Sequence, residues 1–480
     1  MDMSVNNTDY TTISASAVFD SNGNLKTLTT WGGPGLQFQV EGQTHDPAPG
    51  DDEVLGNLIW HDDFVAGQTY TFQAALLTDL AGPNKGSKCY ITSIDGAQPG
   101  GALYRTERPP KNPQTLKGSG TWVRVQPPGP TDVRGTYQYL LRVQQMMIHE
   151  VENLKPKGAK FVKVEIPPPA DGVTSVCYVL EKTSTIKDPE DPGYEPIEKA
   201  GIVVTLALNR QMPSQGDQNA IRGFNKPNED VFVPSAGSYF EAAHLSIMIH
   251  PRSPHAPICH TSIRHFELFS KGSENEEPVK QHSAHGGALH LVPSLLHDDQ
   301  CSRFHSSVQT IVDRHGEGFH SAAKDWCDKY FYDETRKQRL GIGGIFFDNL
   351  GSQPNPKLDQ AAKRPTTPEE CSGFIFDVTQ DWSSAFMENL KKFAWQPWTK
   401  RERQWQLNQR GHIIDYFMCC DMGFRFGLAT KSGSLQAMRL VLPPLASWED
   451  LDEDKLPKKA KKLLEVVRRH KPIDWTSKGN

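Results

Sequence analysis

The stretch GIGGIFFDNL, residues 341–350, decides the reading of this chain. Three glycines in four residues precede an apolar run that closes on Asp348 and Asn349. Upstream of it, histidine is concentrated. Twelve of the 17 lie between positions 244 and 320: His244, His250, His255, His260, His265, His282, His285, His290, His297, His305, His315 and His320. Histidine takes and gives protons near neutrality and is the commonest transition-metal ligand. None of these spacings is a helical H-E-x-x-H or another zinc signature. His255, His260 and His265, five apart, alternate faces on a strand and cannot all converge. Proton chemistry or packing is therefore preferred over a metal centre, with copper or iron kept as an alternative.

Working outward, 480 residues are about three times a typical 150-residue domain, so two domains are expected. Hydrophobic residues make up 37%, with 22 Phe, 10 Trp and 12 Tyr, enough apolar surface to fold most of the length. A net charge of −5 points to no polyanionic partner, so nucleic acid is not expected to bind. No run approaches 18 apolar residues, so no membrane span is expected. Met1–Tyr10 is polar and has neither the features of a secretory signal nor the arginines of a transit peptide, which suggests the cytoplasm. The eight scattered cysteines form no C-x-x-C pair and read as reduced, buried thiols. Cys419 and Cys420 fall in a strand-like run and point to opposite faces.

Residues 1–105 read as a small all-β sandwich or barrel. TTISASAVFD, LKTLTTW, GLQFQV, QTYTFQAAL, KCYITSI and ALYRTE are β-branched or aromatic runs separated by Gly, Pro and Asn turns. WHDD at 60–63 reads as a surface turn. Residues 106–132, rich in Pro and Gly, read as an extended linker. A second, α+β body fills 133–480. Its first helix carries Leu140, Leu141, Met147, Ile148 and Val151 on one face. Two more carry Phe304, Val308, Ile311 and Val312, and Trp382, Phe386, Leu390 and Phe393. AKFVKVEI, GIVVTLAL and FRFGLAT read as strands. The C-terminal PKKAKKLLEVVRRHK is a basic helix whose charges most simply face solvent.

HPRSPHAPICHTSIRHFEL (250–268), GGALHLVP (286–293), FHSSVQTIVDRHG (304–316), DWCDKYF (325–331), RGHIIDYF (410–417), DMGFRFGL (421–428) and LPPLASWE (442–449) stand in order around GIGGIFFDNL. Together they resemble the oxygen-dependent coproporphyrinogen III oxidase family over about residues 135–476. The resemblance implies a flat antiparallel sheet covered by helices on both faces, a homodimer, and a cleft at one face of the sheet. It implies removal of carboxyl groups from two propionates of a reduced tetrapyrrole by molecular oxygen, with neither metal nor organic cofactor. Such chemistry needs cationic clamps, a proton acceptor at the ring nitrogen, and a dry pocket.

Residue by residue, the resemblance makes His260 the proton-handling histidine, Arg264 a substrate arginine and Ser246 a substrate-contacting serine. It places Arg410 and Asp421 in the cleft wall, and Arg336 and Arg339 among the arginines before the glycine run. A structural salt bridge is the plain alternative for each charged residue.

The departures bear on function. The family's pyrrole-binding aspartate is matched by His290. A carboxylate offers two acceptor oxygens and a full charge, whereas a neutral imidazole offers one acceptor nitrogen. The arginine directly before GIGG is matched by Leu340, and Ser262 and Ile263 replace an asparagine and a tyrosine. His412 stands where an arginine is usual, Asp415 near a usual glutamate, and His285 replaces an aromatic. Each lost charge-paired hydrogen bond costs about 2–4 kcal/mol in a closed site, so several would nearly abolish the parent reaction.

The preferred reading is a diverged enzyme that oxidises or oxidatively decarboxylates a non-porphyrin, electron-rich small molecule. A base-driven cyclisation or isomerisation is a variant of it. His290 would be the base and His260 a second proton carrier, with Arg264 and Arg410 as anion clamps. Ser246, Ser262, His412, Asp421, Arg336 and Arg339 would contact substrate. The alternatives are a true coproporphyrinogen oxidase and a non-catalytic binding protein on the same scaffold.

Overall fold

The computed structural model describes residues 131–182, 188–212, 238–270 and 279–477 with their side chains, and seven strand backbones within residues 1–130. The chain divides into two compact units, Met1–Pro127 and Pro128–Asn480.

The first unit is one antiparallel sheet of β1 (Thr12–Phe19), β2 (Leu25–Trp31), β3 (Leu36–Val40), β4 (Glu53–Ile59), β5 (Thr69–Asp79), β6 (Gly86–Asp95) and β7 (Gln114–Arg124). Their order is β4-β1-β2-β3-β7-β5-β6. The end strands β4 and β6 also adjoin, which favours the barrel over the sandwich. β7 corrects the expected linker: TLKGSGTWVR within 106–132 pairs with both β3 and β5. Its two glycines and the prolines around it masked a Thr-, Trp- and Val-bearing strand. ALYRTE (102–107) and WHDD (60–63) lie outside the described residues.

The second unit holds β8 (Val162–Val164), β9 (Val173–Glu181), β10 (Ile197–Gln211), β11 (Tyr239–Pro251), β12 (Ile258–Phe269) and β13 (Lys280–Val292). β14 (Tyr332–Asp333) and β15 (Gln338–Arg339) form a small hairpin, and β16 (Gly344–Leu350) completes the main sheet. That sheet is antiparallel throughout, in the order β16-β13-β12-β11-β10-β9-β8. Its helices are α1 (Val133–Glu152), α2 (Asp298–Val312), α3 (Phe319–Tyr330), α4 (Pro368–Gln380), α5 (Trp382–Phe393), α6 (Lys400–Cys419), α7 (Met422–Ala429), α8 (Leu435–Val441) and α9 (Lys458–Val467).

Helices lie on both sheet faces, so the central strands are buried on both sides. One face carries Ile247, Ile263, Leu289 and Ile345, all fully buried. α1 and α5 pack there. Gln144 of α1 donates to the Ile202 carbonyl at 3.3 Å, and the Trp382 indole donates to Thr261 Oγ1 at 2.9 Å. α6, α8 and the end of α3 pack on the other face. Gly201 makes room for α8, since a Cβ there would lie 2.2 Å from the Leu440 carbonyl oxygen. At the start of β16 a Cβ on Gly344 would lie 2.0 Å from the Leu289 oxygen. The glycine run therefore lets the last strand dock on β13.

FRFGLAT is a helix, not a strand, and Cys419 ends a helix as well. Asp421 caps α7 by accepting from the Phe424 N–H at 2.8 Å. Phe424 packs on Phe417 while Phe426 packs on Phe240, so an alternating aromatic pattern serves a helix wedged between two partners. Among the described residues no helix is long and apolar enough to cross a membrane.

Candidate active site

Strand register collects several of the expected residues. His260 stands opposite Met248 and His290, Ser262 opposite Ser246 and Ala288, and Arg264 opposite His244 and Gly286. Opposed residues share a face and alternate residues return to it. His260, Ser262, Arg264, Ser246 and His290 thus line the face beneath α6, together with His244.

The two histidine rings stand 6.2 Å apart, centroid to centroid, and perpendicular. Phe331 stacks on His290 at 3.8 Å, and Phe417 of α6 meets His260 edge-on at 4.9 Å. His290 is fully enclosed and neither of its ring nitrogens has a hydrogen-bond partner; Nδ1 of His260 is also unpartnered. The Leu340 backbone lies close enough to favour a protonated His290 slightly, without meeting hydrogen-bond geometry. Burial, then the neighbouring imidazole of His260, holds His290 well below the usual histidine range. Burial, then His244, brings His260 to about 3. Burial, then Arg264, brings His244 to about 4, and its Nε2 meets Ser262 Oγ at 3.0 Å. Three neutral imidazoles therefore share one face, His260 and His290 buried and His244 partly exposed. A buried nitrogen without a partner costs about 1–3 kcal/mol, which marks a group that waits for a ligand or is merely tolerated.

Arg264 pairs with Asp348 at 2.7 Å. Its guanidinium rests on Gly286, where a Cβ would lie 2.6 Å from Nε. Nearby, the Tyr330 hydroxyl donates to Asp421 Oδ2 at 2.9 Å, and its ring stacks on Phe346 at 3.8 Å. Burial, then the Asp421 charge, pushes the Tyr330 phenol well up. Asp421, expected in the cleft wall, is also a helix cap.

The remaining expectations are corrected. Arg410 is fully buried, donating to Glu198 Oε2 at 2.8 Å and to the Pro251 carbonyl at 3.0 Å. It belongs to an ion-pair cluster with Arg403 and Arg252 around Glu198, and has no exposed group to offer as a clamp. His412 does not join His290. Its Nε2 accepts from Arg336 at 2.9 Å, and Arg336 also pairs with Asp415 at 2.8 Å. Arg339 donates to the Arg469 and His470 carbonyls, holding the segment after α9. His285 faces away from His290, because positions five apart on a strand lie on opposite faces, and it stacks on His265 at 4.1 Å.

The histidine cluster is dispersed. His250 binds the Val441 carbonyl, His305 the Ile342 carbonyl, His282 Asn349, and His315 Asp377. Among the described residues no three His, Cys, Asp or Glu side chains converge as a metal-ligand set. Sequence reading gave no role to His244, Tyr330, Phe331, Asp348 or Phe417. All lay within quoted stretches, Asp348 in the glycine motif, Tyr330 and Phe331 in DWCDKYF, Phe417 in RGHIIDYF and His244 among the histidines, but only packing shows what they touch.

The family model for coproporphyrinogen III oxidase matches residues 136–475, most of the chain. The chain belongs to the coproporphyrinogen III oxidase family. It is 30% identical over 278 residues to the mitochondrial oxygen-dependent coproporphyrinogen-III oxidase of Mus musculus, covering 58% of this chain and 57% of that protein. The Drosophila melanogaster oxygen-dependent coproporphyrinogen-III oxidase is also 30% identical, over 58% and 64% of the two chains. That of Francisella tularensis subsp. holarctica (strain OSU18) is 27% identical over 50% and 70%. The chain thus spans little more than half the length of the mouse relative. The family match begins inside α1 and leaves the unit Met1–Pro127 outside it. Within this coproporphyrinogen III oxidase family member, Arg264 is the cation among the expected clamps that stands on the His260–His290 face, and it already holds Asp348.

Proposed function

We propose that this family member is an oxygen-dependent enzyme whose cleft has been refitted for a small, electron-rich carboxylate in place of coproporphyrinogen. The observation that carries the reading is His290: a neutral, enclosed imidazole with two unpartnered nitrogens under Phe331. The resemblance expects a carboxylate there. A neutral ring cannot gather several pyrrole N–H donors, and one shared arginine is a poor match for a ligand with many propionates.

In this reading the substrate carboxylate displaces Asp348 from Arg264, which lies on the same face as the histidines. His260 and His290 are weak bases while the site is empty. An entering anion favours their protonated forms, so substrate binding itself readies them to accept a proton. Phe331 and Phe417 keep water away. An oxidative decarboxylation takes two electrons from the substrate, reduces oxygen to hydrogen peroxide and releases carbon dioxide. The homodimer and the cytoplasmic setting belong to this proposal. The exposed Leu445 and Trp448 would supply apolar area for such a contact.

The parent reaction is the second reading, supported by the family match and the relatives' names. Full-length protein with coproporphyrinogen in air decides between them. Sustained carbon dioxide release would sink the new-substrate reading. Oxygen uptake with small pyrrole or phenol carboxylates, lost in His290→Ala, would support it. Neither response would favour a binding protein.

A further inference from the structure

A cavity of about 160 Å³ opens where β13, β16 and the start of α4 meet. Two imidazoles line it: His282, which is bonded to Asn349, and His285, which belongs to the face opposite His290. The cavity is smaller than the roughly 300 Å³ of sites for drug-sized ligands, a size that suits a small ligand.

We propose that this cavity is a binding site for a small oxyanion, a carboxylate or a phosphate. The lining supplies donors: the Lys280 ammonium, the Ser352 hydroxyl and the His285 ring, while the Ser283 and Thr366 hydroxyls that also line it are already engaged by His265 and Glu370. No Asp or Glu is among the described residues that line it. Lys280 is held from behind by Glu267, which is buried, yet the lysine side chain stays 44% exposed with donors left for a ligand. Glu370 already takes the free amides at the start of α4, so the helix end itself contributes little.

His285 is the independent sign of a ligand. It stacks on His265 at 4.1 Å, nearly parallel, and the two rings fare differently. His265 is satisfied at both nitrogens, by Thr136 Oγ1 at 2.7 Å and Ser283 Oγ at 2.9 Å. His285 is only 3% exposed, makes no hydrogen bond among the described residues and lines the cavity. Buried polar groups are normally paired, so an imidazole beside a cavity of donors is what an anion would complete. Burial, then the His265 ring, holds His285 well below its usual range, so before a ligand enters the ring is neutral and has an N–H to offer.

The test uses the full-length chain, with inorganic phosphate and acetate as probes at constant ionic strength set by chloride. Saturable thermal stabilisation is expected. Lys280→Gln and His285→Phe, the latter keeping a ring on His265, should each weaken the apparent affinity at least tenfold. Tighter phosphate binding would identify a phosphorylated ligand and tighter acetate binding a carboxylate; either supports the site. A shift that chloride reproduces, or one that both variants retain, means an adventitious ion only and overturns the proposal, as does no saturable effect. Should His285→Phe fail to fold, Lys280→Gln, at an exposed position, decides alone.

Discussion

The guanidinium of Arg264 lies on the bare Cα of Gly286 and reaches from there to Asp348 at 2.7 Å. Three strands meet in this contact: β12 gives the cation, β13 the gap and β16 the counter-ion. A methyl group on Gly286 would lie 2.6 Å from Arg264 Nε and 2.7 Å from Asp348 Oδ1, so the pair must swing away. Gly286→Ala should cost about 1 kcal/mol of stability, since flexible side chains yield, but should weaken binding of carboxylate ligands far more. A urea melt beside a ligand titration separates the two, and unchanged ligand affinity would remove Arg264 from the binding role.

Acid should unfold the second unit early. Burial holds His250, His260 and His305 near 3 and His265 near 4 in the folded chain, and His285 and His290 well below their usual range. Unfolded histidines titrate near 6.5. Above that pH both states are neutral and nothing changes. Below it the unfolded chain takes up protons that the folded chain refuses. Stability therefore falls from about pH 6.5 downward, by about 1.4 kcal/mol per unit for each such histidine, until the folded values are reached. Half-protonated at pH 6.5 when unfolded, each loses about 1 kcal/mol by pH 5.5, so three would remove about 3 kcal/mol over that unit, against a typical total of about 5–15 kcal/mol. Urea midpoints that stay level from pH 7.5 to 5.5 would contradict this.

The sheet, its helix cover and the association of His260, Arg264 and His290 were legible through the family resemblance that GIGGIFFDNL and the motifs around it carry, and the strand register then puts the three on one face. Arg410 was not, because its partner Glu198 lies 212 positions away, and no local pattern says which of several arginines meets a buried carboxylate. His412 misled for a similar reason. Position along α6 puts it close to Gly411 and Phe417 in sequence, but the hairpin carrying Arg336 claims its ring. β7 and α7 were misread through composition. Glycine and proline hid the first, and alternating phenylalanines imitated a strand in the second.

Glu198 should matter more to stability than any residue of the His260–His290 face. Burial opposes its charge, yet Arg410 and Arg403 outweigh that and hold its carboxyl down to about 2. Glu198→Gln leaves those arginines buried without their shared counter-ion, at an expected cost of about 3–5 kcal/mol. Arg410→Met, which leaves Glu198 with Arg403, should cost less. Denaturant midpoints give the order. A stable Arg410→Met protein that had lost only ligand binding would restore the clamp role denied here.

Phe331 covers His290, and the two can be separated by paired substitutions. Phe331→Ala removes a buried ring stacked at 3.8 Å, at an expected cost of about 3–4 kcal/mol. Water then reaches the imidazole, so His290 should react with diethyl pyrocarbonate much faster than in the unmodified chain, with Phe331→Ala/His290→Ala as the control. His290→Leu acts in the opposite sense. It replaces two unpartnered nitrogens by an apolar group of similar size, so stability should hold or rise by about 1 kcal/mol while any turnover is lost. A protein that His290→Leu destabilises strongly would mean that the ring is bonded in solution and is held for structure. A chain that gains stability as it loses turnover has kept an unsatisfied imidazole under Phe331 for its chemistry.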